Sequence, residues 1–286
     1  MRMLLLGKNG QVGAQIERLS NIRGHKVFAF SKQELDITDS DKVKKKIDDI
    51  KPEIVINTAA YHVVASCEKY SQKAFAVNTL AVKNIAVLCS QIKIRLVHFS
   101  TSWVFDGNKK EPYIESDKPN PLQIYGLSKF AGEIVLLNYN PDSVIIRTCG
   151  VFGAVRGSRA KKGNFILYIL NQAGLKKGLE ISLEQKTSIA NAEDLALATL
   201  KLLEQKVGSG IYHLANKGYC SWLELAKEIV SLKKLDLKLI PVDRKGIFQE
   251  VRVPINSSLE NTKAKSLGVI LPPWREALKR YLMSLP

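Results

Sequence analysis

The sequence predicts an α/β protein built on a doubly wound parallel sheet, with a smaller C-terminal lobe. Three observations carry this. The apolar run Met3 to Leu6 leads directly into the glycine string GKNGQVG, short apolar segments alternate with helical patterns up to Thr148, and the rhythm changes after that point. Strands are expected near residues 2–6, 26–30, 53–57, 95–100 and 143–147, with helices near 11–20, 40–50, 67–92 and 122–138. Residues 1–150 then form the first domain and 151–286 a smaller lobe, some of whose elements pack back on the first.

Each element has its own reason. After the first strand, Gly7, Gly10 and Gly13 recur every third residue before a helix containing Gln15, Ile16 and Leu19. A strand that turns through glycines into a helix presents free backbone N–H groups and the positive helix end to a phosphate, which outlines a dinucleotide site. Its spacing is GxxGxxG rather than GxGxxG, and tight turns also use glycine for their own sake. The second strand, KVFAFSKQ, ends in Ser31 and Lys32 instead of an acidic residue. A hydroxyl and a cation suit a ribose 2′-phosphate better than a free 2′-hydroxyl, so NADPH is expected over NADH. The helix near 40–50 carries Lys42, Lys44, Lys45 and Lys46, a solvated face.

Pro52 introduces EIVINTAA, an apolar strand ending in small residues that let a flat cofactor approach the sheet. The string RLVHFSTSWVFDG ends its strand in Ser100, Thr101 and Ser102, hydroxyls able to bond a carbonyl or to cap a turn. In the helix that follows, Tyr125 and Lys129 are four residues apart and share a face, so the lysine charge can favour the phenolate. Beyond Thr148, the segment AVRGSRAKKG reads as a loop; Arg156, Arg159 or Lys162 could meet a diphosphate, although a solvated loop is the simpler reading. Helices near 165–173, 192–204 and 222–232 belong to the second lobe.

Composition excludes several classes. No apolar run is long enough to span a membrane, and the N-terminal one is too short for a signal peptide. The four cysteines show neither metal-type spacing nor pairing, which fits a reduced, cytoplasmic protein. The net charge of +16 would attract a dinucleotide or an anionic sugar nucleotide as readily as nucleic acid, for which no motif is present. His62 and His98 lack ligand-type neighbours and read as structural.

The strings GKNGQVG, LDITD, INTAAY, AFAVN, LVHFSTSWVFDG, PNPLQIYGLSKFAGE, IIRT, GIYHLANKG and NSSLENTKAKSLGV together resemble the dTDP-4-dehydrorhamnose reductase family, within the extended short-chain dehydrogenase/reductases. The resemblance runs from Arg2 to about Trp274 and is most specific in the first 150 residues. It implies a Rossmann-type sheet and hydride transfer from NADPH, with NADH as a substitute, to the 4-keto group of a nucleotide-linked 6-deoxy sugar. Tyr125 would be the proton donor, Lys129 would tune it and hold the nicotinamide ribose, and Thr101 would orient the ketone. The same resemblance assigns the cofactor to Gly7, Gly10, Gln11, Val12, Ser31, Lys32, Asp36, Ile37, Ala59, Ala60, Tyr61, Tyr125 and Lys129. It assigns the sugar to Thr101, Ser102 and Trp103, and is compatible with a homodimer.

The chain also departs from the family. Ser102 and Trp103 replace the Asp-Tyr of STDYVFDG, and Cys149-Gly150 replaces the Ser-Trp of RTSW. VASCE stands for VDKAE, and Val253-Pro254 for Arg-Pro. Losing a carboxylate, an arginine and an aromatic from a pocket changes which polar groups can be paired there, and so which sugar is accepted. Some relatives bind magnesium through a glutamate at the position of Gln15; an amide is a poor ligand for that hard cation, so no metal is expected. Two rivals stand beside the reductase. A dehydratase needs carboxylates directly after Thr101, where Ser102 and Trp103 stand. A cofactor-binding regulatory subunit, like those of methionine adenosyltransferase, fits the altered pocket but not the retained Thr101, Tyr125 and Lys129.

Overall fold

The computed structural model describes residues 1–153, 163–175, 178–248 and 250–285; Arg156, Arg159 and Lys162 lie outside the described residues. Strand β1 (Arg2–Leu6) is followed by helix α1 (Gln11–Ile22), β2 (Lys26–Phe30), α2 (Ser40–Ile50) and β3 (Ile54–Asn57). Next come the short helices α3 (Val64–Lys69) and α4 (Ser71–Phe75), a π-helical turn (Ala76–Leu80) and α5 (Ala81–Gln91). The first domain's pattern closes with β4 (Arg95–Thr101), α6 (Ile124–Tyr139) and β5 (Val144–Thr148). Met3, Leu4, Leu5 and Leu6 are all fully buried. Alternate residues of β1 enter two separate cores, Met3 and Leu5 with Ile16 on one face, Leu4 and Leu6 with Val43 and Ile47 on the other. A strand covered on both faces reads as a continuous apolar run for this reason.

Downstream lie β6 (Gly150–Phe152), α7 (Phe165–Ala173), β7 (Gly178–Ser182), β8 (Lys186–Thr187), β9 (Ile189–Asn191), α8 (Ala192–Glu204) and β10 (Gly210–His213). They are followed by β11 (Cys220–Ser221), α9 (Trp222–Lys233) and β12 (Lys238–Val242). The main sheet is parallel in the order β2-β1-β3-β4-β5-β10. The strand order reverses at β1 and β3, so the crevice at their carboxyl ends is where such a sheet takes a ligand.

Two features differ from the sequence expectation. A sixth strand, β10, joins the sheet beside β5, with Ile211 opposite Ile145 and His213 opposite Arg147. It is only four residues long and needs its distant partner to become a strand at all. Helix α8, late in the chain, packs on α1, where Arg18 pairs with Glu193 at 2.6 Å and Arg23 with Glu204 at 2.5 Å. The expected helix near 67–92 is also broken into α3, α4, the π-turn and α5, because Tyr70 leaves helical geometry and Asn78 turns its amide to the loop at Tyr61.

Other downstream elements gather round a second core, while Leu259, Ala264, Val269 and Leu271 return to the first. Strands β7 and β12 pair in parallel, and a core including Ile169, Leu223, Ile229 and Leu278 joins α7, α9 and the last helix, Trp274–Ser284. Buried Asn256 fastens this lobe to the first. Its amide nitrogen donates to the carbonyls of Lys109 at 2.8 Å, Lys110 at 3.3 Å and Glu111 at 3.1 Å.

Candidate active site

The glycine string forms the floor of the crevice. Gly7 has φ +94°, and a Cβ there would stand 2.8 Å from Ala59 N; a Cβ at Gly13 would stand 2.3 Å from Gly7 O. Glycine is therefore required for α1 to start against β1 and β3. Gly10 caps α1 without a side-chain hydrogen bond, which leaves the first backbone N–H groups at Gln11 and Val12 for a phosphate. The Gln11 side chain spans the crevice, donating to Val151 O at 3.2 Å and accepting from Asn164 at 3.3 Å. This cradle, which a Cβ would fill, fits a dinucleotide pyrophosphate.

At the end of β2 the charges are mixed. Ser31 is buried and Lys32 pairs with Asp36 at 3.5 Å, while Ile37 lies in the core beneath them. A residue that sequence reasoning missed also stands here: Glu34 accepts from Ser31 N at 2.7 Å and pairs with Lys8 of the glycine string at 2.8 Å. The hydrogen bond from Lys8, with those from Ser31, holds the Glu34 carboxyl down at about 2. The signal was available in part, since Glu34 lies 21 residues beyond Gly13, the usual distance of a ribose-binding acid.

Beyond β3, the turn Thr58 to Tyr61 is pinned from below. Asn57 Oδ1 accepts from Ala59 N at 3.0 Å, and Asn78 accepts from Tyr61 N at 2.9 Å and donates to Tyr61 O at 2.8 Å. The π-turn thereby brings Asn78 within 3.0 Å of Ser128 on α6. Helical irregularities of this kind recur at functional sites.

Thr101 closes β4, opposite Thr148, and its hydroxyl accepts from Trp103 N at 3.2 Å. Helix α6 starts over this strand end because Gln123 accepts from Gly126 N at 2.7 Å, capping it. A Cβ at Gly126 would lie 2.1 Å from Trp103 O, so only glycine allows the approach. Tyr125 thus stands over Thr101, with the Trp103 ring edge-on at 6.2 Å between centroids. Burial pushes the Tyr125 phenol up to about 12, and a hydrogen bond from Thr101 acts against it. Ser102 is wholly buried, so of the three expected sugar contacts Thr101 and Trp103 are those grouped with Tyr125.

Lys129 behaves differently from the sequence expectation. It is 1% exposed, and its Nζ lies 2.6 Å from Phe99 O and 2.9 Å from His98 Nε2 rather than on the phenol. Burial brings the amine down to about 7, with the Glu133 charge opposing. His98, read as structural from sequence, is therefore a neighbour of the lysine; burial first, then the lysine charge, keeps it well below its ordinary value and neutral. Nothing in strand β4 alone reveals this, because the pairing crosses from strand to helix. Beneath them Glu133 and Arg147, each 1% exposed, form a two-toothed ion pair at 2.6 to 3.2 Å, and Ser100 also donates to Glu133. This holds α6 to β4 and β5.

A cleft of about 410 Å³ opens beside the Tyr125 turn, lined by Ala65, Glu68, Lys69, Gln123 and Arg252 among others. It lies where α3 meets the second lobe's strand Val251–Arg252. Among the described residues there is no cluster of three metal-ligating side chains, and Gln15 accepts from Arg18 at 2.9 Å. No helix among them is long and apolar enough to cross a membrane.

The arrangement has counterparts in known proteins. The family model described as the RmlD substrate binding domain matches residues 1–286. The spore coat polysaccharide biosynthesis protein SpsK of Bacillus subtilis is 34% identical over 98% of this chain and 96% of its own length. The dTDP-4-dehydrorhamnose reductase of Burkholderia thailandensis is 33% identical over 97% of each chain. Among solved structures, a dTDP-4-dehydrorhamnose reductase of Clostridium acetobutylicum superposes with a TM-score of 0.92 at 32% identity, covering 99% of each chain. That of Bacillus anthracis, in complex with NADP, gives 0.93 at 30% identity over 99% of each. With these matches along its whole length, the chain belongs to the dTDP-4-dehydrorhamnose reductase family.

Proposed function

We propose that this protein is an NADPH-dependent oxidoreductase that reduces the 4-keto group of a nucleotide-linked 6-deoxy sugar. The observation that carries the reading is Tyr125 near the start of α6, edge-on to Trp103 and over Thr101 at the carboxyl end of β4, one helical turn from Lys129. Bound NADPH supplies the hydride. The chain's own residues do the rest. Tyr125, protonated throughout the neutral range, gives its proton to the forming alkoxide, and Thr101 holds the ketone oxygen in reach of the phenol. Lys129, one helical turn on, would hold the nicotinamide ribose, while Gln11 and Val12 receive the pyrophosphate on the α1 terminus.

Trp103 and Gly150 alter the sugar-facing wall relative to the family, so the preferred sugar is a 4-keto-6-deoxy nucleotide sugar that need not be the rhamnose precursor. Similarity to a spore coat polysaccharide protein supports a role in surface polysaccharide synthesis. The four buried cysteines, none of them in a disulfide, support a cytoplasmic setting. The test is NADPH oxidation with freshly made dTDP-4-keto-6-deoxy sugar. Consumption that disappears in Tyr125→Phe supports the reading; cofactor binding without consumption of any 4-keto sugar nucleotide favours a regulatory subunit instead.

A further inference from the structure

The hydrogen bonds around His98 determine where its proton sits. Asn57 Oδ1 is held by Ala59 N at 3.0 Å, which turns the amide nitrogen toward His98 Nδ1 at 3.2 Å. An amide nitrogen only donates, so Nδ1 is the accepting atom and the proton of the neutral ring is on Nε2. That Nε2–H points at Lys129 Nζ, 2.9 Å away. An ammonium has no lone pair to accept it. The consistent arrangement is a neutral Lys129 amine that accepts from His98 and donates to Phe99 O at 2.6 Å.

We propose that His98 is a positioning residue that holds Lys129 neutral at rest and couples its protonation to cofactor binding at the Ala59 turn. This rests on the proposed cofactor site. When one proton enters from solvent, it ends on Nδ1 at the side of the Asn57–Ala59 turn, while the Nε2 proton passes along the 2.9 Å contact to Nζ, so that Nε2 becomes the acceptor of the ammonium. Asn57 then turns its oxygen to Nδ1–H, which releases Ala59 N–H for the incoming cofactor. One proton enters, the imidazole stays neutral, and no other bond changes. Asn57, His98 and Lys129 are 0%, 0% and 1% exposed, so water does not supply a substitute partner along this chain.

The charged and titratable groups around Lys129 agree with one added proton. Tyr125 and Glu133 flank it on α6, His98 faces it from β4, Arg147 on β5 is committed to Glu133, and Cys67 on α3 borders Tyr125. Burial brings the amine to about 7, low enough for a modest change of partner to switch it.

The experiment is calorimetric titration with NADPH in two buffers of different ionisation enthalpy, which counts protons independently of any sugar substrate. The wild type takes up about one proton per bound cofactor near pH 8 and almost none near pH 6, where Lys129 is already charged. In His98→Gln the side-chain oxygen can accept from the ammonium, and in Asn57→Asp the carboxylate holds the proton on Nδ1. Both variants charge Lys129 before the cofactor arrives, so uptake near pH 8 falls at least about threefold. Undiminished uptake in both variants, or none in the wild type at either pH, overturns the proposal. Uptake as expected without reduction of any keto sugar upholds it and overturns the sugar assignment alone; failure of NADPH to bind the wild type overturns both.

Discussion

At the scale of single residues, Tyr125 and Lys129 respond to burial in opposite directions. The phenol is pushed up to about 12 and the amine down to about 7, so at neutral pH the acid keeps its proton while the lysine is poised to exchange one. Tyr125→Phe is expected to lower kcat by about 10²-fold or more with NADPH affinity unchanged, as read by turnover and cofactor titration. Lys129 also has a consequence for stability. Its folded value lies below its ordinary 10.5, so between about 7 and 10.5 the unfolded chain binds more protons and stability rises with pH. Lys129→Met should raise the stability near pH 7 by on the order of 2 kcal/mol and flatten that rise, measured by denaturant melts from pH 7 to 10. At the end of β2, Glu34 neutralises Lys8, which a 2′-phosphate would otherwise meet. Glu34→Gln is expected to tighten NADPH several-fold and to leave NADH less affected, as measured by direct titration.

At the scale of elements, α6 is the part whose placement decides the site. Its register over β4 depends on Gly126 against Trp103 O and on the buried Glu133–Arg147 pair with Ser100. Removing one member of such a pair leaves the other charge buried, so Glu133→Ala is expected to cost about 3–5 kcal/mol in chemical unfolding. The spacing of Tyr125 and Lys129 along α6 was legible because a helix has a fixed period. The Lys129 partner was not, because the i, i+4 relation says that two side chains share a face and not which way a long side chain turns. The break at Tyr70 escaped for a similar reason: the string reads as continuous helix, and only the demand of the Tyr61 loop on Asn78 produces the π-turn.

At the scale of the whole molecule, the downstream elements are fastened to the first domain by specific polar contacts, among them Arg280 to Asp194 at 2.7 Å. Asn256 alone serves three carbonyls of the loop after β4. Asn256→Ala should destabilise the protein by about 2–4 kcal/mol, with the loss appearing in thermal melts and in faster proteolysis between Asn108 and Glu111. Helix α8 and strand β10 lie late in the chain yet complete the first domain, one on α1 and the other at the sheet edge beside β5.

What the chain's local patterns determined by themselves were the features governed by short-range sterics. These are the glycine turn at Gly7 with its positive φ, the strands buried on both faces, the hydroxyl at the end of β4 and the helical spacing of Tyr125 and Lys129. The tertiary structure alone decided the sixth strand, the Lys8–Glu34 pair and the Asn57–His98–Lys129 chain. Asn57 and His98 are 41 residues apart, and His98 and Lys129 are 31 apart. Hydrogen bonds across such separations depend on how a strand, its neighbour and a covering helix pack together, and only the folded chain brings those donors and acceptors within reach.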